Sequence, residues 1–233
     1  MLKSMFTRPE RKSMYWKEIL RQMFQIGVDS LIIIFIISFF IGAVSAVQFA
    51  YSLSSSIAPM FYVGYVVRES MILEFAPTVS CLILAGKVGS NIASELGTMR
   101  LTEQIDALDI MGVNTTSYLI APKILGAMFM VPMLVIISAF TGIFGGLLAG
   151  QASGYVSGTE FMQGVLYFFE PYNISIMLYK AIVFSFLLTS ISCYQGFYAY
   201  GGALQIGKAS TRAVVLSSIS ILVADYIIAW ITL

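Results

Sequence analysis

The sequence predicts an all-α integral membrane protein with five membrane-spanning helices. Of its 233 residues, 58% are hydrophobic and only 11% are charged, whereas a soluble domain carries about 25% charged residues. Long stretches without any charge alternate with short charged segments, which is typical of spans separated by loops. We therefore expect residues 1–233 to form one membrane domain, in which residues 28–233 make up the helical bundle.

The composition also excludes several classes of function. The chain contains no histidine, which removes the most common general base of enzymes and the most common metal ligand. Cys81 and Cys193 lie in apolar runs, where cysteine behaves as a small buried hydrophobe. The net charge of +1 indicates no basic surface for nucleic acid. We therefore predict no catalytic residue, no metal site and no nucleic-acid partner.

Residues 1–27 are predicted to include an amphipathic helix that lies in the membrane interface. Apolar residues recur at helical spacing from Trp16 to Phe24, and Lys17 and Arg21 belong to the opposite, polar face. Tryptophan and basic residues beside a span favour the interface. An ordinary cytoplasmic helix is the alternative.

Five charge-poor stretches account for the spans. The uncharged run from Ser30 to Val67 is too long for one span of about 20 residues, so we divide it at a polar and aromatic loop, about 51–65. The predicted spans cover about 30–50, 66–90, 123–149, 175–198 and 213–233.

The distribution of basic residues predicts the orientation of the chain. With a cytoplasmic N-terminus, only Arg68 and Lys180 of the 13 basic residues lie toward the outside, in agreement with the positive-inside rule. Five spans then place the C-terminus on the extracytoplasmic side. The charged segment between the second and third spans is cytoplasmic.

That segment, about 91–113, is predicted to contain a short amphipathic coupling helix. Gly97 is expected to end the preceding helix, after which Leu101, Ile105 and Leu108 repeat on one face. Such a helix can dock on a separate ATPase and carry its motion to the spans. A solvated loop whose charges keep it out of lipid explains the spacing equally well.

Among the charged residues within the predicted spans, three lie at comparable depth. Glu74, Lys180 and Asp225 lie in the outer halves of spans two, four and five. A charge in a span usually faces protein or water. We therefore predict a Lys180–Asp225 pair, with Glu74 as a further candidate partner.

A stripe of small residues follows the third span. Gly142, Gly146 and Gly150 recur every four residues, which lets another helix approach closely. The spacing leaves open whether that helix belongs to the same chain or to a second copy.

Two stretches of the sequence resemble a known family. The run AGKVGSNIASELGTMRLTEQIDALDIMGVN, residues 85–114, resembles the signature of the MlaE family, and GKASTRAVVLSSISILVADYIIAW, residues 207–230, is similar to the family's last span. Family members are permease subunits of lipid-transporting ABC systems with MCE-domain partners. The resemblance extends from about Trp16 over nearly the whole chain.

The resemblance implies a homodimer that holds phospholipid in a cavity between its two copies. It also implies two cytoplasmic ATPase subunits, which carry ATP and Mg²⁺, and an extracytoplasmic ring of MCE proteins; a small regulatory subunit is a further candidate partner. The implied location is the inner membrane of a Gram-negative-type bacterium. No cofactor is expected on this chain itself. The ATPase-coupling residues implied by the motif are Glu95, Arg100, Glu103 and Asp106.

The lipid path is expected near the start of span two, where the chain departs from the family. Members commonly read Arg-Glu-Leu-Gly-Pro, and residues 73–77 here read LEFAP. Leu73 therefore replaces an arginine that could steady a lipid headgroup, and Arg68 and Lys180 are candidates to substitute for it. The predicted lipid-path residues are Met71, Leu73, Glu74 and Phe75.

Three other functions are alternatives to a lipid permease. An ABC permease for a small polar solute is the main alternative, although it should place more polar groups at mid-membrane. The sequence contains no G-x-x-x-x-G-K-[ST] phosphate loop, so we expect ATP hydrolysis on a separate subunit. The absence of histidine and of a clustered carboxylate pair disfavours a stand-alone membrane enzyme. A structural membrane subunit without a transport path stays open.

Overall fold

The described part of the chain is helical throughout. A computed structural model describes residues 12–54 and 59–232, with side chains from Tyr15 onward, and contains no strand in these residues. The all-α prediction is therefore confirmed. The α-helices are α1 (Lys12–Ser54), α2 (Tyr62–Ser70), α3 (Ser80–Leu84), α4 (Ser90–Leu101), α5 (Gln104–Ile110), α6 (Ala121–Ala152), α7 (Gly158–Leu166), α8 (Pro171–Phe197) and α9 (Ala203–Thr232).

Five helical segments are long and apolar enough to cross a membrane, as predicted. They are Tyr15–Ser54, Tyr62–Leu101, Thr116–Ala152, Pro171–Phe197 and Ala203–Thr232. Several extend well beyond the predicted spans. A charged residue ends the apolar part of a span without ending the helix, so Lys208 and Arg212 lie inside α9 rather than in a loop.

Helix α1 is continuous across the predicted boundary between the interfacial helix and span one. Gly27 lies at that boundary, and a helical glycine costs only about 1 kcal/mol relative to alanine. An added Cβ at Gly27 would lie 2.1 Å from the Cε of Met130, so this glycine permits close packing. Trp16 and Phe24 are exposed, as expected of a lipid-facing surface. Residues 1–11 of the predicted interfacial segment lie outside the described residues.

The second span alternates between α-helical and π-helical geometry. Its π-helical stretches are Met71–Val79 and Ala85–Gly89. Pro77 lies inside the first stretch, and because proline has no N–H it cannot complete a regular α-helical turn. The same stretch carries all four predicted lipid-path residues, and π-helical turns often occur at functional sites.

The charged segment after span two breaks at Glu103 rather than at Gly97. Helix α4 continues through Gly97 to Leu101, and Glu103 has a left-handed backbone with φ of 57°. The prediction that Gly97 ends a helix is wrong, because this glycine is buried against α9. An added Cβ there would lie 3.1 Å from the Cγ2 of Ile206. Helix α5 follows the break and buries Ile105 completely.

The described residues belong to two compact units. The first comprises the described residues of Met1–Ser30, Cys81–Val131 and Ile182–Leu233. Within it, α4 packs on α8 and α9. An added Cβ at Gly196 would lie 2.7 Å from the carbonyl oxygen of Ala93, and the Ser210 hydroxyl donates to the carbonyl oxygen of Ser90 at 3.2 Å.

The second unit comprises the described residues of Leu31–Ser80 and Pro132–Ala181. Helices α2 and α7 touch through their backbones, since an added Cβ at Gly64 would lie 2.1 Å from the carbonyl oxygen of Phe161. The core of this unit is an apolar cluster that includes Val67, Met71 and Phe161. Met71 belongs to this cluster and Phe75 packs against it, so it supports the π-helical stretch that carries Glu74.

Candidate functional site

Lys180 forms an ion pair with Glu74 inside the second unit. Its Nζ donates to the Oε1 of Glu74 at 3.0 Å and to the carbonyl oxygen of Leu73 at 2.9 Å. The Lys180 side chain is only 2% exposed, whereas the Glu74 side chain is 45% exposed. The carboxylate of Glu74 therefore lies at the surface of the unit, and the buried ammonium of Lys180 binds it from the interior. The Lys180–Asp225 pair stays a prediction.

The other predicted lipid-path residues differ in their surroundings. Met71 is buried in the core cluster, whereas Leu73 is partly exposed and contributes its carbonyl oxygen to Lys180. Phe75 is partly buried against the same cluster. Leu73, Glu74 and Phe75 thus leave surface that a ligand could contact, and Met71 supports them from within.

The predicted glycine stripe packs against neighbours in the same chain. An added Cβ at Gly142 would lie 2.0 Å from the Cε of Met71 and 3.2 Å from the carbonyl oxygen of Ser38. At Gly146 it would lie 3.1 Å from the Cγ1 of Val67, and at Gly150 the nearest atom is 3.7 Å away. The packing around the stripe is therefore closest at Gly142 and loosest at Gly150.

Two glycines outside the predicted stripe also make close helix contacts. An added Cβ at Gly42 would lie 1.8 Å from the carbonyl oxygen of Gly142, and one at Gly145 would lie 2.2 Å from that of Phe39. These contacts join α1 to α6. Gly145 breaks the four-residue spacing, so a search for one regular stripe misses it.

An apolar cavity of about 500 Å³ lies in the second unit. Residues of α6, α7 and α8 line it, including Phe140, Phe144, Met162 and Met177. Arg68 is the one ionisable residue in the described lining. Ligand pockets commonly have about 300–1,000 Å³, so this cavity has room for an apolar ligand.

Arg68 is a buried cation that the sequence did not assign to a structural role. Its guanidinium donates to the carboxylate of Glu69 through Nε and Nη2. It also donates to three carbonyl oxygens just beyond or at the end of α7, those of Val165, Tyr167 and Phe168. These contacts engage all five N–H donors that an arginine has. Arg68 therefore has no donor to spare as a substitute for the family arginine at Leu73.

The carboxylate of Glu95 is bound within the chain. Lys123, whose side chain is 3% exposed, donates to the Oε2 of Glu95 at 2.6 Å and to the Oε1 of Gln22 at 3.3 Å. This cluster connects α1, α4 and α6. The sequence motif indicated Glu95. Its contacts with Gln22 and Lys123 could not be predicted from the sequence, because they depend on tertiary packing.

The remaining predicted coupling residues surround the break between α4 and α5. The Nη1 of Arg100 donates to the Oδ1 of Asp106 at 2.7 Å and so bridges the break. Glu103 is exposed at the break itself. The end of α5 is tied by the Thr115 hydroxyl, which donates to the Oδ1 of Asp109 at 2.9 Å.

These features define a class of protein. The described residues contain five helical segments that are long and apolar enough to cross a membrane. Within the second unit, a buried lysine forms an ion pair, glycines make close helix contacts and an apolar cavity is present. Ionisable groups inside spans commonly mark a path for a substrate or an ion. The chain is a multi-pass membrane protein with the architecture of a transport subunit.

Comparison with known proteins gives the family. Residues 19–231 match the family model for Permease MlaE. The chain is 38% identical to a "Probable ABC transporter permease protein" of Rickettsia bellii, over 94% of this chain and 84% of the relative. It is 32% identical to the "Intermembrane phospholipid transport system permease protein MlaE" of Haemophilus influenzae, over 90% of this chain and 80% of the relative. The chain belongs to the MlaE permease family.

A more distant relative comes from a plant. The chain is 29% identical to "Protein TRIGALACTOSYLDIACYLGLYCEROL 1, chloroplastic" of Arabidopsis thaliana, over 92% of this chain and 61% of that protein. Family membership and the fold together establish a membrane permease. The substrate and the partners are a separate question.

Proposed function

We propose that the chain is the permease subunit of an ABC transporter that moves phospholipid between the inner membrane and an extracytoplasmic MCE-type partner. Two copies of the chain form a homodimer, with the N-terminus in the cytoplasm and the C-terminus outside. Separate cytoplasmic ATPase subunits bind ATP and Mg²⁺ and drive the cycle.

The observation that carries this proposal is the family match over residues 19–231. It extends through nearly all of the described structure and includes both the charged segment and the last span. The Haemophilus influenzae relative, which aligns over 90% of this chain, is named as a phospholipid transport permease. That name supports phospholipid as the substrate class.

The geometry favours a lipid over a small polar solute. The cavity in the second unit is apolar apart from Arg68, and the guanidinium of Arg68 is bound by its own chain. Burial of an acyl chain contributes about 0.8 kcal/mol per CH₂ group, so apolar surface suits this substrate. The half-exposed carboxylate of Glu74 supplies a polar group beside apolar Leu73 and Phe75.

The segment around α5 is suited to receive an ATPase. Ile110 and Met111 at its end are neighbours and are 88% and 68% exposed, so together they leave an apolar surface that a partner can cover. Arg100 and Asp106 hold α4 and α5 together, so a push on α5 reaches α4. The Glu95–Lys123 pair then connects α4 to α6.

Native mass spectrometry of the chain with its co-purifying partners tests this proposal. The complex is extracted from its own membranes in mild detergent, and lipids are extracted from the same sample. We expect two copies of the chain, two ATPase subunits, MCE-domain proteins and bound phospholipid. A complex without an ATPase would contradict energy coupling, and a soluble solute-binding protein in place of MCE proteins would favour a polar-solute permease.

A further inference from the structure

A polar cleft of about 590 Å³ lies in the first unit, and none of the predicted lipid-path residues lines it. One wall is a face of α1 that carries Gln22, Gln25 and Asp29. The opposite wall carries Lys87, Asn91 and Glu95 at four-residue spacing, which places them on one helical face. So many polar side chains around one cleft are unusual for segments that are long and apolar enough to span a membrane.

The cleft lies at the depth of lipid headgroups. Asp29 is the last charged residue before the uncharged run that begins at Ser30. From Ser30 the helix continues to Ser54, which at ~1.5 Å per residue suffices to cross a hydrocarbon core of about 30 Å. The Nζ of Lys87 donates to the carbonyl oxygen of Asp29, so Lys87 is at the same level. Both residues therefore lie where the apolar part of the membrane begins.

The cleft offers one cation and one anion for an external ligand. Lys87 and Asp29 have exposed side chains, and among the described residues neither side chain takes part in an ion pair. The third charged residue of the cleft, Glu95, is already neutralised by Lys123. The charges available to a ligand thus balance, and the amide groups of Gln25 and Asn91 add neutral donors and acceptors.

We propose that this cleft binds the headgroup of a zwitterionic phospholipid. Lys87 binds the phosphate, because an ammonium donates strong charge-assisted hydrogen bonds to phosphate oxygens. Asp29 binds the ammonium group of the headgroup, which makes an ethanolamine-type lipid the preferred ligand over an anionic glycerol-type lipid. This proposal rests on the proposed function and adds a headgroup site and a headgroup class to it.

Lipid binding to the full chain in detergent micelles tests the proposal by native mass spectrometry. We add phosphatidylethanolamine and phosphatidylglycerol at equal concentration and count the bound lipids of each kind. The unaltered chain should retain phosphatidylethanolamine preferentially. Lys87→Gln and Asp29→Asn should each lower its retention about tenfold, the change expected from one lost charge-assisted contact. Lys208→Gln, an exposed residue outside this cleft, is the matched control and should leave retention unchanged.

Several results would overturn the cleft assignment. One is equal retention of both lipids by the unaltered chain, and another is unchanged retention in both cleft variants. Displacement of the lipid by free phosphoethanolamine at similar concentration would show that a small polar ion is the ligand. Complete lack of lipid binding by the unaltered chain would contradict the proposed function, whereas lipid binding that ignores Lys87 and Asp29 would contradict only the cleft.

Discussion

The guanidinium of Arg68 stabilises the turn between α7 and α8 by charge and by hydrogen bonds. Its three carbonyl partners include Phe168, whose backbone is left-handed with φ of 44°, a conformation that is uncommon for a residue with a side chain. Glu69 also accepts from the amide of Asn173 at 2.7 Å. One cation therefore connects α2 to the end of α7 and, through Glu69, to α8.

We expect Arg68→Met to lower the free energy of unfolding by about 3 kcal/mol, because it leaves a mostly buried carboxylate without its partner. Thermal unfolding of the purified protein in detergent measures the effect. Arg212→Met removes an exposed arginine and serves as the control. Equal unfolding midpoints for the two variants would contradict a structural role for Arg68.

The ion pair between Lys180 and Glu74 predicts energetic coupling between these residues. In a double-mutant cycle of Lys180→Met and Glu74→Gln, we expect a coupling energy of about 1 kcal/mol, within the range for residues in contact. Denaturant unfolding supplies the four stabilities. A cycle that pairs Lys180→Met with Glu160→Gln is the control, and a coupling no larger than in that cycle would count against the ion pair.

Single residues were predictable from the sequence where composition made them conspicuous. A lysine and a glutamate inside apolar spans are rare enough that both Lys180 and Glu74 could be picked out. The three carbonyl partners of Arg68 could not, because they are backbone groups about a hundred positions along the chain. Every residue type has a backbone carbonyl oxygen, so the sequence does not indicate which of these oxygens accepts a hydrogen bond.

At the scale of helices, close backbone contact between α1 and α6 requires glycine. A methyl group at Gly42 would lie 1.8 Å from a backbone oxygen of α6, so Gly42→Ala should force the helices apart and destabilise the protein by about 2 kcal/mol. Gly207 also lies in a helix, but no neighbouring atom lies within 4 Å of an added Cβ. Gly207→Ala should be neutral or stabilise by up to about 1 kcal/mol. Unfolding in denaturant should separate the two, and similar effects would refute the packing argument.

The start of α7 gives a prediction that depends on pH. Ser157 and Glu160 form a reciprocal capping box, and the hydrogen bonds from Ser157, first that of its side chain, lower the pKa of the Glu160 carboxyl. Because the pKa is lowered, the ionised carboxylate of Glu160 stabilises α7 fully above the usual carboxyl pKa range. This stabilisation is lost as the pH falls through the lowered pKa. Ser157→Ala should therefore speed hydrogen exchange in α7 at neutral pH.

The increase in hydrogen exchange caused by Ser157→Ala should be smaller at a pH where the carboxyl of Glu160 is protonated, because the capping box is already weakened at that pH. Gln163→Ala is the control, because Gln163 is exposed in α7 and the change leaves the hydrogen bonds between Ser157 and Glu160 in place. An effect of Ser157→Ala that is the same at both pH values would contradict the role of the carboxylate.

Helices differ in how far the sequence predicts them. Hydropathy and charge were sufficient for five spans, because burial in lipid demands long apolar stretches. Their ends were missed where helices such as α9 continue into charged sequence. The break at Glu103 was also missed, because no sequence pattern indicates that a glutamate adopts a left-handed backbone. Gly97 was predicted to end a helix because it is a glycine, but it packs against α9 instead.

For the whole molecule, the proposed function requires that an ATPase bind the segment around α5. Glu103→Lys and Ile110→Asp change exposed side chains there. Both should therefore reduce the amount of co-purified ATPase at least several-fold without affecting membrane insertion. Glu170→Lys, an exposed change predicted to lie on the extracytoplasmic side, is the control. Normal recovery of the ATPase with both segment variants would remove this docking assignment.

A reconstituted transfer assay tests most directly whether this permease moves phospholipid at the expense of ATP. Proteoliposomes contain the full complex and a labelled phospholipid, and exchange of the label with the MCE-type partner is followed with ATP or with a non-hydrolysable analogue. We predict transfer that requires ATP hydrolysis and that Glu103→Lys lowers at least several-fold. Transfer that proceeds without this chain, or ATP-driven movement of a polar solute but not of lipid, would contradict the account.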